Sequence, residues 1–121
     1  MNSTLGHLME RNASEVFGQR DPVRRKHAIR ELFTEDCAFF DAEAQAAGRD
    51  AIDAAAESIL RQSPPEFVLR AAGPAEVIHD LGRLRWELGP PGAPPVVTGM
   101  DVAVFADGKI RALYTFLDIR S

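Results

Sequence analysis

The chain has 121 residues, of which 45% are hydrophobic and 26% charged, and it carries a formal net charge of −4. This length fits one domain over residues 1–121, and the acidic balance argues against nucleic acid as a partner, since proteins that bind phosphate backbones carry a basic surface. No apolar run approaches the roughly 18 residues that span a bilayer, so no membrane segment is expected.

Several classes of site and compartment are also disfavoured. The single cysteine cannot form an internal disulfide, and the first residues lack the basic start and apolar run of a secretory signal, so we expect a cytoplasmic protein. The three histidines are scattered along the chain. Because no metal-binding spacing, glycine-rich phosphate loop or serine-centred elbow is present, we predict neither a metal site nor a cofactor.

The first segment has the pattern of an amphipathic helix. Apolar residues recur at helical spacing from Leu5 to Val16, which predicts a helix that ends near Gly18 and carries Asn12 on its apolar face. A buried amide needs hydrogen-bond partners. Asn12 is therefore interpreted either as a structural hydrogen-bonding residue or as a ligand contact.

Two more helices and a short strand follow. Asp21 before a proline predicts the start of the second helix, which should end near residues 34–36. The segment Cys37–Asp41 is predicted to be a strand, and residues 42–48 a loop or an irregular second strand. The alanine-rich stretch that starts at Arg49 predicts the third helix.

The remainder of the chain alternates strand-like stretches with glycine, proline and aspartate turns. These stretches are 67–73, 75–79, 83–88, 96–105 and 109–118. Three helices followed by a mainly antiparallel, curved sheet predict an α+β fold in which the helices cover one sheet face. Both alternating sets of side chains in 96–105 are largely apolar, so the outer face needs cover, and we expect a homodimer formed through it.

An acid stands in the middle of this apolar strand. Burying the Asp101 carboxylate is unfavourable unless the group is paired, hydrogen-bonded or protonated. Its cross-strand neighbour depends on the turn: a two-residue turn at residues 107–108 pairs Asp101 with Tyr114, and a three-residue turn pairs it with Leu113. The sequence leaves both registers open.

Two long segments carry a family resemblance. "LFTEDCAFFDAEAQAAGRDAI" (residues 32–52) and "TGMDVAVFADGKIRALYTFLD" (98–118) resemble the nuclear transport factor 2-like superfamily, in particular its SnoaL-like and ketosteroid-isomerase-like branches. The resemblance covers nearly the whole chain. It implies a cone-shaped α+β barrel, with a pocket between the helices and the bent sheet.

The resemblance also implies site residues. Asp41 matches the general base of the isomerase branch, and Asp101 matches an acid that is kept neutral so that it donates a hydrogen bond to an oxyanion. The isomerases have a tyrosine where this chain has Asn12, which argues against a steroid isomerase. The residues expected to contact substrate are Asn12, Phe39, Trp86 and Tyr114.

Two functions of different classes follow. One is an enzyme that uses Asp41 as the base and Asp101 as a second acid on a small apolar carbonyl compound, giving isomerisation or cyclisation without a cofactor. The other is a non-catalytic ligand-binding or dimeric assembly module. Converging carboxylates would favour the enzyme, whereas a pocket filled by Phe39, Trp86 and Phe116 would favour the module.

Overall fold

The computed structural model describes residues 4–118. Its helices begin and end at positions that local sequence features explain. Asp21 caps the second helix by accepting hydrogen bonds from two backbone N–H groups of its first turn, where Pro22 also lies. This helix ends at Leu32, earlier than predicted, because Phe33 is extended and begins a strand. No helix in this part of the chain is long and apolar enough to cross a membrane. The helices are α1 (Thr4–Arg11), a π-helical segment that continues it (Asn12–Phe17), α2 (Pro22–Leu32) and α3 (Arg49–Gln62).

Within residues 4–118, seven strands form one curved sheet. They are β1 (Phe33–Phe40), β2 (Gln45–Ala47), β3 (Val68–Ala71), β4 (Glu76–Ile78), β5 (Leu81–Gly89), β6 (Val97–Ala106) and β7 (Lys109–Leu117). The strand order is β2-β1-β7-β6-β5-β3, with β4 paired to β5. Only the β1–β7 pair is parallel among the strand pairs of residues 4–118. The predicted α+β fold, with helices packed on a mainly antiparallel sheet, is confirmed.

The core lies between the helices and the inner face of the sheet. Burial alternates along β5 and β6, so that Leu84, Trp86 and Leu88 are buried on one strand and Ala103 and Phe105 on the next. Side chains of opposite parity face outward. Trp86 therefore lies on the inner face together with the two leucines, as the alternation predicts.

A buried ion-pair cluster joins α2 to α3. The guanidinium of Arg25, 1% exposed, donates to a carboxylate oxygen of Asp53 at 2.7 Å and of Glu57 at 2.9 Å, and also to the backbone carbonyl of Gln19 at 2.8 Å. A buried charge needs such partners, because its desolvation is otherwise unfavourable. This cluster fixes the two helices against each other behind the sheet.

The β6–β7 hairpin has a register that neither sequence alternative anticipated. Ala106 pairs with Lys109 across a two-residue turn whose residues both have positive φ, as in a type I′ turn. A bulge then shifts the pairing by one residue on β7. As a result Asp101 pairs with Thr115, so the expected pairings with Tyr114 and Leu113 are both wrong.

Candidate active site

Asp101 lies on the inner face in the middle of the sheet. It pairs with Leu84 of β5 on one side and with Thr115 of β7 on the other, and it is only 6% exposed. Two side chains reach its carboxylate from these neighbouring strands. Trp86 donates its indole N–H to Oδ1 at 3.0 Å, and Thr115 donates its hydroxyl to the same oxygen at 3.0 Å.

The two oxygens of this carboxyl group have different surroundings. Both donors bind Oδ1, and no hydrogen bond joins Oδ2 to another residue in the range 4–118. Burial raises the pKa of Asp101 to about 7, although the hydrogen bonds from Thr115 and Trp86 act in the opposite direction. Asp101 therefore combines a fixed oxygen with a free one, and it gains or loses its proton near neutral pH.

Trp86 keeps its position because the facing residue has no side chain. A Cβ atom on Gly99, which pairs with Trp86, would collide with the indole ring and with the carbonyl oxygen of Phe116. Glycine thus lets the indole lie against the backbone of β6, two residues from Asp101. This close approach orients the indole N–H that binds the acid.

The first helix runs along β5. A Cβ on Gly82, at the start of this strand, would come within 2.6 Å of the sulfur of Met9. At the other end, Gly18 lies close to the carbonyl oxygen of Leu69, which pairs with Leu88 near the end of β5. The helical segment therefore passes from β5 at Met9 to β3 at Gly18.

Asn12 is buried in the interior, about one helical turn after Met9. It is 1% exposed, and its Oδ1 has no hydrogen-bond partner in the described chain. Asn12 is also the first residue of the π-helical segment. π-Helical segments are rare in proteins, and many of those that occur lie at functional sites.

Two other predicted site residues, Phe39 and Tyr114, lie on opposite faces of the sheet. Phe39 is buried on β1 and stacks on Phe17 at a centroid distance of 6.0 Å, within the core cluster that includes Trp86. Tyr114 is on the outer face, where its ring stacks on Phe40 at 4.5 Å. The structure therefore does not bring Tyr114 to Asp101.

Asp41 is exposed at the end of β1. Its Oδ1 accepts hydrogen bonds from the backbone N–H groups of Glu43 at 2.9 Å and Ala44 at 2.7 Å, and its own N–H donates to the carbonyl of Ala44. This is the turn-stabilising arrangement that aspartate favours. Asp41 and Asp101 share no hydrogen bond within residues 4–118.

Sequence reasoning missed Thr115 as a member of the site. A hydroxyl within the apolar run "ALYTFL" was a signal that could have found it, but its face depended on the register of β7. No cluster of three or more metal-binding side chains occurs within the part of the chain that the structure describes.

Asp101 lines neither of two surface clefts in the described part of the chain. One, of about 340 Å³, lies beside Arg83, Arg85 and Met100 on the outer side of the sheet. The other, of about 170 Å³, lies between α2 and α3 beside Lys26 and Arg49.

A family model described as the SnoaL-like domain matches residues 11–113. The chain belongs to this family. The match includes Asn12, Trp86 and Asp101 and ends before Thr115. No protein with a curated description matches this SnoaL-like chain.

Solved structures share the fold of this SnoaL-like domain. A protein from Agrobacterium tumefaciens, named as a candidate isomerase of the SnoaL-like family, is 24% identical with a TM-score of 0.84, and the match covers 97% of this chain and 100% of that one. A candidate SnoaL-like polyketide cyclase from Jannaschia is 16% identical with a TM-score of 0.71, covering 95% and 85%. A candidate ketosteroid isomerase from Kribbella flavida is 12% identical with a TM-score of 0.72, covering 98% and 80%. At these identities the likeness establishes the fold but not the chemistry.

Proposed function

We propose that this SnoaL-like domain binds a small apolar carbonyl compound inside the cone, and that Asp101 moves a proton at the carbon next to the carbonyl. The reaction would be an isomerisation or a cyclisation and would use no cofactor. One observation carries the proposal: Asp101 is buried, both of its hydrogen-bond donors bind Oδ1, and no residue within 4–118 binds Oδ2.

The chemistry follows from this asymmetry. In its ionised form Asp101 would accept a proton from the substrate carbon through Oδ2, while Trp86 and Thr115 hold Oδ1 in place. The resulting enolate would take the same proton back from Asp101 at another carbon, or would attack a second carbonyl group to close a ring, in which case Asp101 would return the proton to the new alkoxide oxygen. A pKa of about 7 suits both steps, because a general base works best when its pKa is near the working pH.

The proposal assigns proton transfer to Asp101 alone. Asp41 is exposed, and its Oδ1 is occupied by two backbone amides of its turn. The names of the structural neighbours, a candidate isomerase and a candidate polyketide cyclase, fit this chemistry, since both reaction classes can begin with loss of a proton next to a carbonyl.

Deuterium exchange tests the proposal. We would incubate 1-tetralone in D₂O with the protein and follow the loss of the proton signal next to the carbonyl by NMR. The wild type should exceed the buffer rate, and Asp101→Asn should lower the enzyme-dependent rate by about 100-fold or more. Asp107→Asn, in the exposed hairpin turn, is the matched control and should exchange as the wild type does. Exchange that survives Asp101→Asn would refute the role of Asp101, and loss of exchange in Asp41→Asn would restore the two-acid mechanism.

One observation favours the second function, a non-catalytic binding or assembly module. Phe39 and Trp86 are 4% and 6% exposed and belong to the core cluster, so they fill space that a ligand would need. Under this function no carbonyl compound would exchange faster with the protein than in buffer. The same assay therefore separates the two functions.

We also propose that a second copy of the chain covers the outer face of the sheet. This face combines the Phe40–Tyr114 stack with Phe116, which is 57% exposed. The charges around it are paired within the chain, as in Arg83–Glu76 at 2.9 Å and Arg70–Glu87 at 2.8 Å. Because these charges neutralise each other within the chain, the surface around the apolar patch is better suited to an identical surface than to a strongly charged partner.

Sedimentation equilibrium tests this assembly. We expect a dimer for the wild type and a monomer for Phe116→Glu. Val23→Glu is the matched control, because Val23 is an equally apolar residue, 76% exposed, on α2 and away from the sheet. A monomeric wild type would rule the assembly out.

A further inference from the structure

We propose that Asn12 determines specificity by accepting a hydrogen bond from a hydroxyl group of the substrate, so that the substrate carries a hydroxyl as well as a carbonyl. This inference rests on the proposed function, because it places the hydroxyl in the same interior site as Asp101. It differs from the role that the family resemblance implies for this position, which is donation to an oxyanion.

The first support is the unmet hydrogen-bonding capacity of Asn12. Its side chain is 1% exposed, and Oδ1 has no partner in the described chain. A buried acceptor without a donor destabilises a protein, and buried polar side chains are normally hydrogen-bonded. A substrate hydroxyl would supply the missing donor.

The second support is that the two side-chain donors at Asp101 are already used. The indole N–H of Trp86 and the hydroxyl of Thr115 both bind Oδ1 of Asp101. Each of these side chains has a single polar hydrogen to give. Asn12 therefore has to obtain a donor from outside this set.

The third support is the backbone at Asn12. The helix changes from α-helical to π-helical at this residue, and the π-helical segment continues to Phe17. The neighbouring residue Ala13 and the later Val16 are buried in the apolar core. The segment thus carries an amide among apolar neighbours, whereas an apolar side chain at this position would need no hydrogen-bond partner.

Binding of three matched ketones tests the proposal. 7-Hydroxy-1-tetralone has a hydroxyl away from its carbonyl, 7-methoxy-1-tetralone keeps the oxygen but cannot donate, and 1-tetralone has neither. Trp86 is the only tryptophan, so its indole N–H gives one NMR signal that reports on the site. The wild type should bind the hydroxyl compound about tenfold more tightly than either of the others, as expected for one added hydrogen bond.

Asn12→Leu should abolish this preference, because leucine keeps the branched shape of asparagine but has no acceptor. It should also raise the melting temperature by about 4 °C, because an unmet buried acceptor is removed. A structural asparagine would give the opposite change in melting temperature.

Thr34→Val is the matched control. The hydroxyl oxygen of Thr34 on β1 is likewise buried and without a partner, and valine has nearly the same shape. This variant should also be stabilised, but its preference for the hydroxyl compound should remain that of the wild type. The comparison separates recognition from the general benefit of removing a buried polar atom.

Three results would overturn the inference: equal affinity of the wild type for the three ketones, no binding of any of them, or a hydroxyl preference that survives in Asn12→Leu. Its failure can be told from failure of the proposed function. If the preference for the hydroxyl compound is present and depends on Asn12, but 1-tetralone shows no deuterium exchange, hydroxyl recognition by Asn12 is supported and proton transfer by Asp101 is refuted.

Discussion

Replacing Asp101 with asparagine should stabilise the protein at neutral and alkaline pH. The amide oxygen of asparagine can still accept from Trp86 and Thr115, which bind a single oxygen of the wild-type carboxyl group. The variant has no charge to desolvate, whereas ionised Asp101 lies 6% exposed in the core. A residue that lowers stability in this way is typical of a functional site.

The size of the effect follows from the pKa. Asp101 ionises at 3.8 in the unfolded chain and at about 7 in the folded protein. Between these values the folded state binds more protons, so the free energy of unfolding of the wild type falls as the pH rises. The full difference corresponds to roughly 4 kcal/mol above pH 7, of which about 2 kcal/mol is reached at pH 5.

Urea unfolding of the wild type and of Asp101→Asn at pH 5 and pH 8 measures this difference. The gap in free energy of unfolding between the two proteins should widen by about 2 kcal/mol from pH 5 to pH 8. Asp107→Asn, in the exposed turn, should show no such widening. A gap that is the same at both pH values would mean that Asp101 titrates as an ordinary exposed acid, and the reasoning from burial would fail.

Three further predictions concern the surroundings of the acid and the helices behind it. Trp86→Phe removes a hydrogen bond that favours ionised Asp101, so the pKa of Asp101 should rise further, as measured by carboxyl-carbon NMR. Gly99→Ala should lower the free energy of unfolding by about 2 kcal/mol and alter the Trp86 fluorescence, because the added methyl group collides with the indole. Arg25→Met should destabilise by about 3 kcal/mol in urea, since it leaves two carboxylates of α3 without their buried cation.

The α+β fold was predictable because its signals are local. Asp21-Pro22 marked the start of α2, and alternation identified the inner face of β5 with Trp86 on it. The helical spacing from Leu5 to Val16 likewise predicted one continuous helix. It could not distinguish α-helical from π-helical hydrogen bonding, because the two share nearly the same pattern of buried side chains.

The site was predictable only in part, because it depends on register and on turn chemistry. Asp101 and Asn12 stood out as polar residues on apolar faces, and both are buried. The pairing of Thr115 with Asp101 depends on a bulge, and no residue in the sequence indicates that bulge. The resemblance implied that Asp41 is a general base, whereas its carboxylate accepts two hydrogen bonds within a turn.

The bulge in β7 determines which side chains of this strand face the interior. With an unbroken two-residue hairpin, Asp101 would face Tyr114, and every side chain of β7 beyond the bulge would change between the inner and the outer face. One extra residue therefore decides whether the acid meets an aliphatic hydroxyl or a phenol. In a fold that carries many different functions, inserting or deleting one residue near this turn could replace a whole row of inner side chains without altering the strand order.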